Sequence, residues 1–210
     1  MAVDSQLKQI EAMYSDNLRK MGEDSRSVGW NTEACQKLRF SKLAAVLNTA
    51  CEPFSINDLG CGYGSILDFL EKDLGCEVSC YHGYDISQEM LDAAAKRLAV
   101  HPADKIDLRL AKEVTSVADY SFVSGTYNVR FDASYEEWEA YIRESLHALD
   151  KHSSKGFAFN LLTSYVDWEE PHLFYGKSVE WFDYCKKHFS RKVALLHDYD
   201  LWEWTIVVKK

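Results

Sequence analysis

The feature that most constrains the fold is a glycine-rich run, DLGCGYG, which extends from Asp58 to Gly64. An apolar, strand-like segment beginning at Ile56 precedes it, and a helix-like apolar stretch over residues 65–70 follows it, which starts a helix predicted over residues 65–74. Alternating glycines allow positive φ, and they let the backbone approach a ligand without intervening Cβ atoms. The run therefore predicts a strand, a tight turn and the start of a helix, with a ligand-binding surface at the turn.

A second strand-like segment, residues 78–85, ends in an acid, Asp85. A carboxylate at a strand end accepts two hydrogen bonds at once, which suits the two hydroxyls of a ribose. In doubly wound sheets the ligand lies across the carboxyl ends of neighbouring strands. We therefore expect both motifs to line one pocket.

The glycine pattern separates two classes of cofactor. The dinucleotide fingerprint has a third small residue, Gly or Ala, at the position that Ser65 occupies here. Asp58 stands just ahead of the first glycine, where its charge would repel a pyrophosphate but attract a cationic amino group or a sulfonium. The chemistry favours S-adenosyl-L-methionine over NAD.

With these residues the sequence resembles the class I S-adenosylmethionine-dependent methyltransferases. Residues 58–64 look like the first motif of that family. Residues 83–94 look like the second motif, in which an acid binds ribose and the next helix carries a Met-Leu pair. Residues 119–125 are similar to the fourth strand, and the order of elements extends the resemblance from about residue 43 to the C-terminus.

The resemblance implies contacts from the glycine turn to the methionine part of the cofactor. Asp58 should hold the amino group, through water, while the backbone of Gly60 and Cys61 approaches the methionine chain. Gly62 and Gly64 belong to the same predicted cofactor-binding turn, and Ser124, which follows the fourth strand, is expected at the same cavity.

The adenosine part is assigned to the second motif and the loop after the third strand. Asp85 should bind the ribose, with Ile86 and Met90 on either side of the adenine. Similar enzymes often read the adenine amino group with an acid after the third strand, which points to Glu113 here.

Residues 1–50 are predicted to form a helical lid ahead of the sheet, since apolar residues there recur at helical spacing. In similar enzymes this region often closes over the cofactor. Arg39 is expected to pair with the methionine carboxylate, because a guanidinium suits a carboxylate, or to be a cation on the helix surface. Trp30 is expected to shield the methyl group from water.

From residue 51 onward, strand-like and helix-like segments alternate as in a parallel sheet. Ser134 and Glu137 predict a capping box for a helix over residues 135–149. The last two strands, residues 192–197 and 202–208, are joined by too few residues for a crossover helix. We therefore predict one α/β domain over residues 1–210: a Rossmann-like, seven-stranded, mostly parallel sheet with an antiparallel last strand, helices on both faces and an N-terminal helical lid.

Candidate residues for the acceptor lie in the loops after the fourth and fifth strands. Residues 124–130 contain no proline, whereas amino-group methylases of DNA bases or glutamine typically carry an Asp/Asn-Pro-Pro-aromatic run there. Tyr127 and Arg130 are candidates for orienting an acceptor, or else anchor an ordinary surface loop. The catalytic residue is not identified by any motif; Tyr127, His172 and His197 are the candidates. A lone histidine in such a place is more often a packed or solvated residue than a base.

Composition limits the partners. The formal net charge of −9 lacks the basic footprint of a protein that holds long nucleic acid. No stretch approaches the ~18 apolar residues of a membrane span, and the N-terminus lacks a leader pattern, so a cytoplasmic protein is expected. Cys76 and Cys80 form the only close cysteine pair, without further ligands to complete a zinc site, so no metal is predicted.

These observations predict an S-adenosylmethionine-dependent methyltransferase that acts on oxygen or another heteroatom of a small molecule. A methyltransferase for a protein or nucleic acid and a noncatalytic S-adenosylmethionine-binding regulatory module are the alternatives, and an NAD-dependent enzyme is third. The sequence leaves open the acceptor, the base and the oligomeric state.

Overall fold

A computed structural model describes residues 2–48 and 52–210. The strands are β1 (Phe54–Leu59), β2 (Val78–Asp85), β3 (Ile106–Leu110), β4 (Ala118–Val123), β5 (Ser153–Thr163), β6 (Tyr175–Gly176), β7 (Lys192–Leu196) and β8 (Glu203–Lys209). The α-helices are α1 (Ala2–Met21), α2 (Glu33–Leu43), α3 (Ser65–Asp68), α4 (Gln88–Arg97), α5 (Tyr135–His152) and α6 (Ser178–His188).

The central sheet has the strand order β3-β2-β1-β4-β5-β8-β7. Strands β1 to β5 pair in parallel, whereas β8 runs antiparallel to both β5 and β7. The predicted seven-stranded sheet with an antiparallel last strand is therefore confirmed. The two-residue strand β6, which pairs with β5, was not predicted, because a segment of that length has no periodicity to detect.

Helices cover both faces of the sheet, as predicted, because the strands alternate their apolar side chains between two clusters. Phe157 and Phe159 pack with Trp138 of α5 on one face, whereas Ala158 and Phe122 pack with residues of α2 and α3 on the other. Successive strand residues point to opposite faces, so nearly continuous apolar strands require cover on both sides.

The N-terminal segment is helical, and Thr32 caps α2 by accepting a hydrogen bond from the amide of Cys35 at 3.1 Å. The predicted boundary between lid and core, at residues 50 and 51, lies outside the described residues, as does residue 1. Within the part of the chain that the structure describes, no helix combines the length and apolar character needed to cross a membrane.

The helix after the glycine turn differs from its predicted form. We expected one helix over residues 65–74, but α3 ends at Asp68 and a π-helical turn, Phe69–Asp73, continues it. The amide of Leu74 donates to the carbonyl of Phe69, five residues earlier, which widens this turn.

The capping box of α5 is confirmed. The amide of Glu137 donates to the Ser134 hydroxyl at 3.2 Å, and the amide of Ser134 donates to the Glu137 carboxylate at 3.1 Å. The helix continues to His152, three residues beyond the predicted end.

We expect Ser134→Ala to lower the free energy of unfolding by about 1 kcal/mol, because it leaves an amide of the first turn of α5 without its acceptor. Urea unfolding followed by circular dichroism measures the change. Ser41→Ala, in the exposed part of α2, is the matched control and should change the stability by less than about 0.5 kcal/mol. Equal effects of the two substitutions would contradict the role of the cap.

Candidate functional site

A cavity lies at the carboxyl ends of β1, β2 and β4, where the strand order reverses direction. This switch point is the usual ligand site of open α/β sheets. The space between atoms in the cavity is about 910 Å³, open solvent at its mouth included. Helix α1 contributes Leu7, Ile10 and Tyr14 to its lining.

The glycine turn after β1 is held against two neighbouring loops. Gly60 has a φ of 72°, and its amide donates to the carbonyl of Tyr84 at 2.8 Å. A Cβ at Gly60 would lie 2.1 Å from the Thr126 hydroxyl oxygen, which itself donates to the carbonyl of Leu59. Both the conformation and the close approach therefore require glycine here.

The carboxylate of Asp85 joins the two sequence motifs. One of its oxygens accepts the amide of Gly62 at 2.9 Å, and the other accepts the amide of Ser87 at 2.9 Å. Burial raises the pKa of Asp85, while these amide hydrogen bonds act in the opposite direction. The structure thus brings both motifs to one cavity, and each carboxylate oxygen keeps a lone pair for a further donor.

Asp58 lies at the base of the cavity and is almost completely buried. Its carboxylate accepts a hydrogen bond from the Tyr81 hydroxyl at 2.7 Å. Burial raises the pKa of Asp58 to about 7, and the nearby charge of Asp85 acts in the same direction. A cationic ligand group would favour the ionised form of this acid.

Helix α1 is attached to the sheet through the start of α4. The hydroxyls of Ser15 and Ser87 are 2.8 Å apart and buried, and Ser87 also caps α4 by accepting the amide of Met90. At the surface the Arg19 guanidinium donates to both carboxylate oxygens of Glu89. These contacts place the inner face of α1 over the cavity.

Among the cavity residues that the sequence analysis missed are Glu11, Tyr14 and Tyr141. Burial, together with the charge of Asp85, raises the pKa of Tyr14 to about 12. The spacing of Leu7 and Tyr14 indicated an apolar helix face, but not what that face covers. Tyr141 stands within the long helix α5, away from every motif, and carried no signal in the sequence.

The loop after β4 forms another wall of the cavity. Gly125 has a φ of 72°, and a Cβ there would lie 2.1 Å from Cη2 of Trp30, so the indole packs directly on this backbone. The hydroxyl of Ser124 is buried and has no hydrogen-bond partner among the described residues. It is therefore available to a ligand in the cavity.

Nine predicted cofactor-binding residues line the cavity: Trp30, Asp58, Gly60, Cys61, Gly62, Asp85, Ile86, Met90 and Ser124. Three others do not. Gly64 caps α3 in a left-handed conformation, and Glu113 is exposed in the loop after β3. Arg39 is buried and pairs with Glu203 at 2.7 Å, so it is not a surface cation either.

The candidates for catalysis lie outside the lining of the cavity. Tyr127 is fully buried, its hydroxyl is 2.6 Å from that of Ser145, and burial raises its pKa. His172 and His197 are exposed in loops, the latter with its ring centroid 5.8 Å from that of Tyr165.

Arg130, the other residue proposed to orient an acceptor, holds two loops together. Its guanidinium donates to the carbonyls of Pro171 and Leu173, and it lies over the ring of Tyr135. Val129 forms an isolated antiparallel bridge with Leu173 beside it. The loops after β4 and β5 are therefore joined to each other.

The polar and apolar side chains that line the cavity fit S-adenosylmethionine. Asp58 and Asp85 supply the acids that suit an amino group and a ribose, and Ile86 and Met90 supply apolar surface for a base. The unpartnered Ser124 hydroxyl is a further polar group. Among residues 2–48 and 52–210 no cluster of His, Cys, Asp or Glu could hold a metal ion.

Comparison with known proteins agrees with this geometry. A family model described as a methyltransferase domain matches residues 57–152. A protein of Mycobacterium tuberculosis, which its name provisionally describes as a methyltransferase, is 45% identical over 163 residues. That alignment covers 77% of this chain and 96% of the relative.

Solved structures share the fold at low sequence identity. Magnesium protoporphyrin IX methyltransferase from Synechocystis PCC 6803, crystallised with bound SAH, is 12% identical with a TM-score of 0.68, and the match covers 98% of this chain and 99% of that one. The same enzyme with bound SAM has a TM-score of 0.66. A pyocyanin biosynthetic protein is 15% identical with a TM-score of 0.62, over 94% of this chain and 61% of its own.

The raised pKa of Asp58 predicts a pH-dependent stability for the unliganded protein. An acid whose pKa is higher in the folded than in the unfolded state contributes stability at low pH, which is lost as the pH rises towards the folded value of about 7. We therefore expect Asp58→Asn to stabilise the protein relative to wild type more at pH 8 than at pH 5.

Thermal unfolding of both proteins at the two pH values measures this difference. Asp183→Asn, at an exposed position of α6, is the matched control and should shift the melting temperature equally at both. The same offset for Asp58→Asn at pH 5 and pH 8 would contradict the assignment of a raised pKa.

Proposed function

The chain belongs to the class I S-adenosylmethionine-dependent methyltransferases, and we propose that it transfers the methyl group to oxygen or another heteroatom of a small-molecule acceptor. The observation that carries the proposal is the cavity that unites Asp58 and Asp85 under a helical cover. Its proposed location is the cytoplasm, on the sequence grounds given above.

The proposed cofactor contacts follow from the residues that line the cavity. Asp85 holds the ribose hydroxyls with the lone pairs that its amide hydrogen bonds leave open, and Asp58 faces the cationic amino group. Ile86 and Met90 flank the adenine. When bound, S-adenosylmethionine supplies a methyl group already activated by its sulfonium. The protein then has mainly to align the acceptor, a contribution of ~7–11 kcal/mol in favourable cases.

Several features support a small acceptor. The cavity is partly covered by helix α1 and has an apolar, aromatic lining that includes Ile10, Phe40 and Tyr141. The net charge of −9 disfavours a nucleic-acid substrate. Proteins of the same fold include a magnesium protoporphyrin IX methyltransferase and a pyocyanin biosynthetic protein, both named for small molecules.

Two hydroxyls are the best-placed groups to orient such an acceptor. Tyr14 and Tyr141 both line the cavity, and neither hydroxyl forms a hydrogen bond with another described residue. Burial raises the pKa of both, so they are neutral donors at physiological pH. We propose that they position the acceptor by hydrogen bonding.

Calorimetric titration tests the cofactor assignment. We expect S-adenosylmethionine and S-adenosylhomocysteine to bind and NAD not to bind. Asp85→Asn should weaken both affinities by roughly tenfold or more, since it removes one of the charged acceptors, a loss of ~1.4 kcal/mol or more. Asp92→Asn, at an exposed position of α4, is the control and should bind like wild type. Binding of NAD alone would contradict the assignment.

Transfer of a labelled methyl group tests the acceptor class. Wild-type protein and S-adenosylmethionine with a radioactive methyl group are incubated with a heat-treated cell extract, which is then separated by size. We expect label in the small-molecule fraction with wild type and far less with Asp85→Asn. Label in protein or nucleic acid would contradict the proposal, and binding without any transfer would identify a noncatalytic module.

A further inference from the structure

A closed ring of buried contacts connects two walls of the cavity. Its five members are Trp30, Arg39, Gly125, Asn160 and Glu203. Trp30 and Gly125 line the cavity, whereas the other three stand behind it. The ring therefore contains residues that can affect the site without touching a ligand.

The polar half of the ring is a chain of three hydrogen bonds. The Nε of Arg39 donates to one carboxylate oxygen of Glu203 at 2.7 Å, and the side-chain amide of Asn160 donates to the other at 2.9 Å. The carbonyl oxygen of the Asn160 side chain accepts the amide of Gly125 at 2.7 Å. Glu203 and Asn160 are fully buried.

The aromatic half of the ring closes it. The guanidinium carbon of Arg39 lies 3.8 Å from the ring centroid of Trp30. The indole also packs on Gly125, where a Cβ would meet its Cη2 and Cζ2 atoms. Arg39 and Gly125 therefore both contact the indole, and the same Glu203 carboxylate restrains both of them, the second through Asn160.

The ring is not an efficient way to stabilise the fold. Removing a carboxylate from water is costly, and a buried ion pair often stabilises less than apolar residues of the same volume. One nitrogen of the Arg39 guanidinium, Nη1, is buried without a partner among the described residues. Backbone pairing already joins strands β5 and β8, from the pair Gly156 and Lys209 to the pair Leu162 and Glu203. The ion pair is better explained by the positions that it fixes for Trp30 and Gly125 at the cavity.

We propose that Glu203 is a positioning residue for the methyl-transfer site. Through Arg39 it holds the Trp30 indole, and through Asn160 it holds the Gly125 amide, so the two walls keep a fixed spacing. Only a carboxylate accepts from both donors, because a glutamine would present its own NH₂ to one of them. The inference rests on the assignment of the cavity as the cofactor site.

The test uses full-length protein labelled with 5-fluorotryptophan, with S-adenosylhomocysteine as the ligand. The fluorine resonance of Trp30 is identified as the one that Trp30→Phe removes. We expect Glu203→Gln to shift or broaden that resonance in the unliganded protein and to raise the dissociation constant for S-adenosylhomocysteine at least tenfold.

Two further variants control the experiment. Lys37→Met breaks a different ion pair of α2, the one between Lys37 and Asp73. Both of these side chains are partly exposed, and neither belongs to the ring around Trp30. It should leave the Trp30 resonance in place and change the affinity less than twofold. Arg39→Lys keeps the buried positive charge but removes the planar group over the indole, and serves if Glu203→Gln does not fold. We expect it to shift the resonance and weaken binding about threefold or more.

An unshifted Trp30 resonance in a folded Glu203→Gln or Arg39→Lys protein overturns the proposal. So does a folded variant that binds S-adenosylhomocysteine with the wild-type affinity, even if its melting temperature is lower. Failure of the wild-type protein to bind S-adenosylhomocysteine instead rejects the cofactor assignment. The resonance in the unliganded protein still reports whether Glu203 positions the indole, so the two failures are distinguishable.

Discussion

The site depends on one carboxylate, that of Asp85, which accepts the amides of Gly62 and Ser87. The first amide belongs to the glycine turn after β1, and the second precedes α4. Ser87 in turn caps α4 and contacts Ser15 of α1. A single side chain thus sets the relative positions of the glycine turn, the next helix and the helical cover.

The same site contains acidic side chains whose burial costs the folded protein stability. Asp58 is buried, Asp85 is half-buried near it, and burial raises the pKa of both. Glu203 is a second fully buried acid, and burial raises its pKa although Arg39 opposes the shift. Groups of this kind are concentrated at functional sites, because a ligand supplies the interactions that the empty protein lacks.

The sequence predicted the parts of the fold that depend on local chemistry. The strands, the antiparallel end of the sheet and the capping box at Ser134 follow from periodicity, loop length and a side chain three residues away. The pair of motifs around Asp58 and Asp85 was recognisable because glycines and acids stand at fixed places beside strands.

What the sequence could not predict depends on contacts between distant segments. Arg39 suits a carboxylate, but nothing local shows that its partner is Glu203, from the far end of the chain, rather than a ligand. Tyr141 enters the cavity only because α5 packs beside α1. Glu113 follows the correct strand but faces solvent, since the register of a loop is not fixed by periodicity.

Helix α1 and the segment after it form part of the cavity but lie outside the part of the chain that the family model matches. The segment shared with the wider family, residues 57–152, includes Asp58 and Asp85, whereas Tyr14 and Trp30 precede it. A chain shortened to begin at β1 would keep every strand and both acids but lose one side of the cavity. If Tyr14 orients the acceptor, as we propose, substitutions in the first 48 residues would change acceptor choice while the sheet and both acids stay the same.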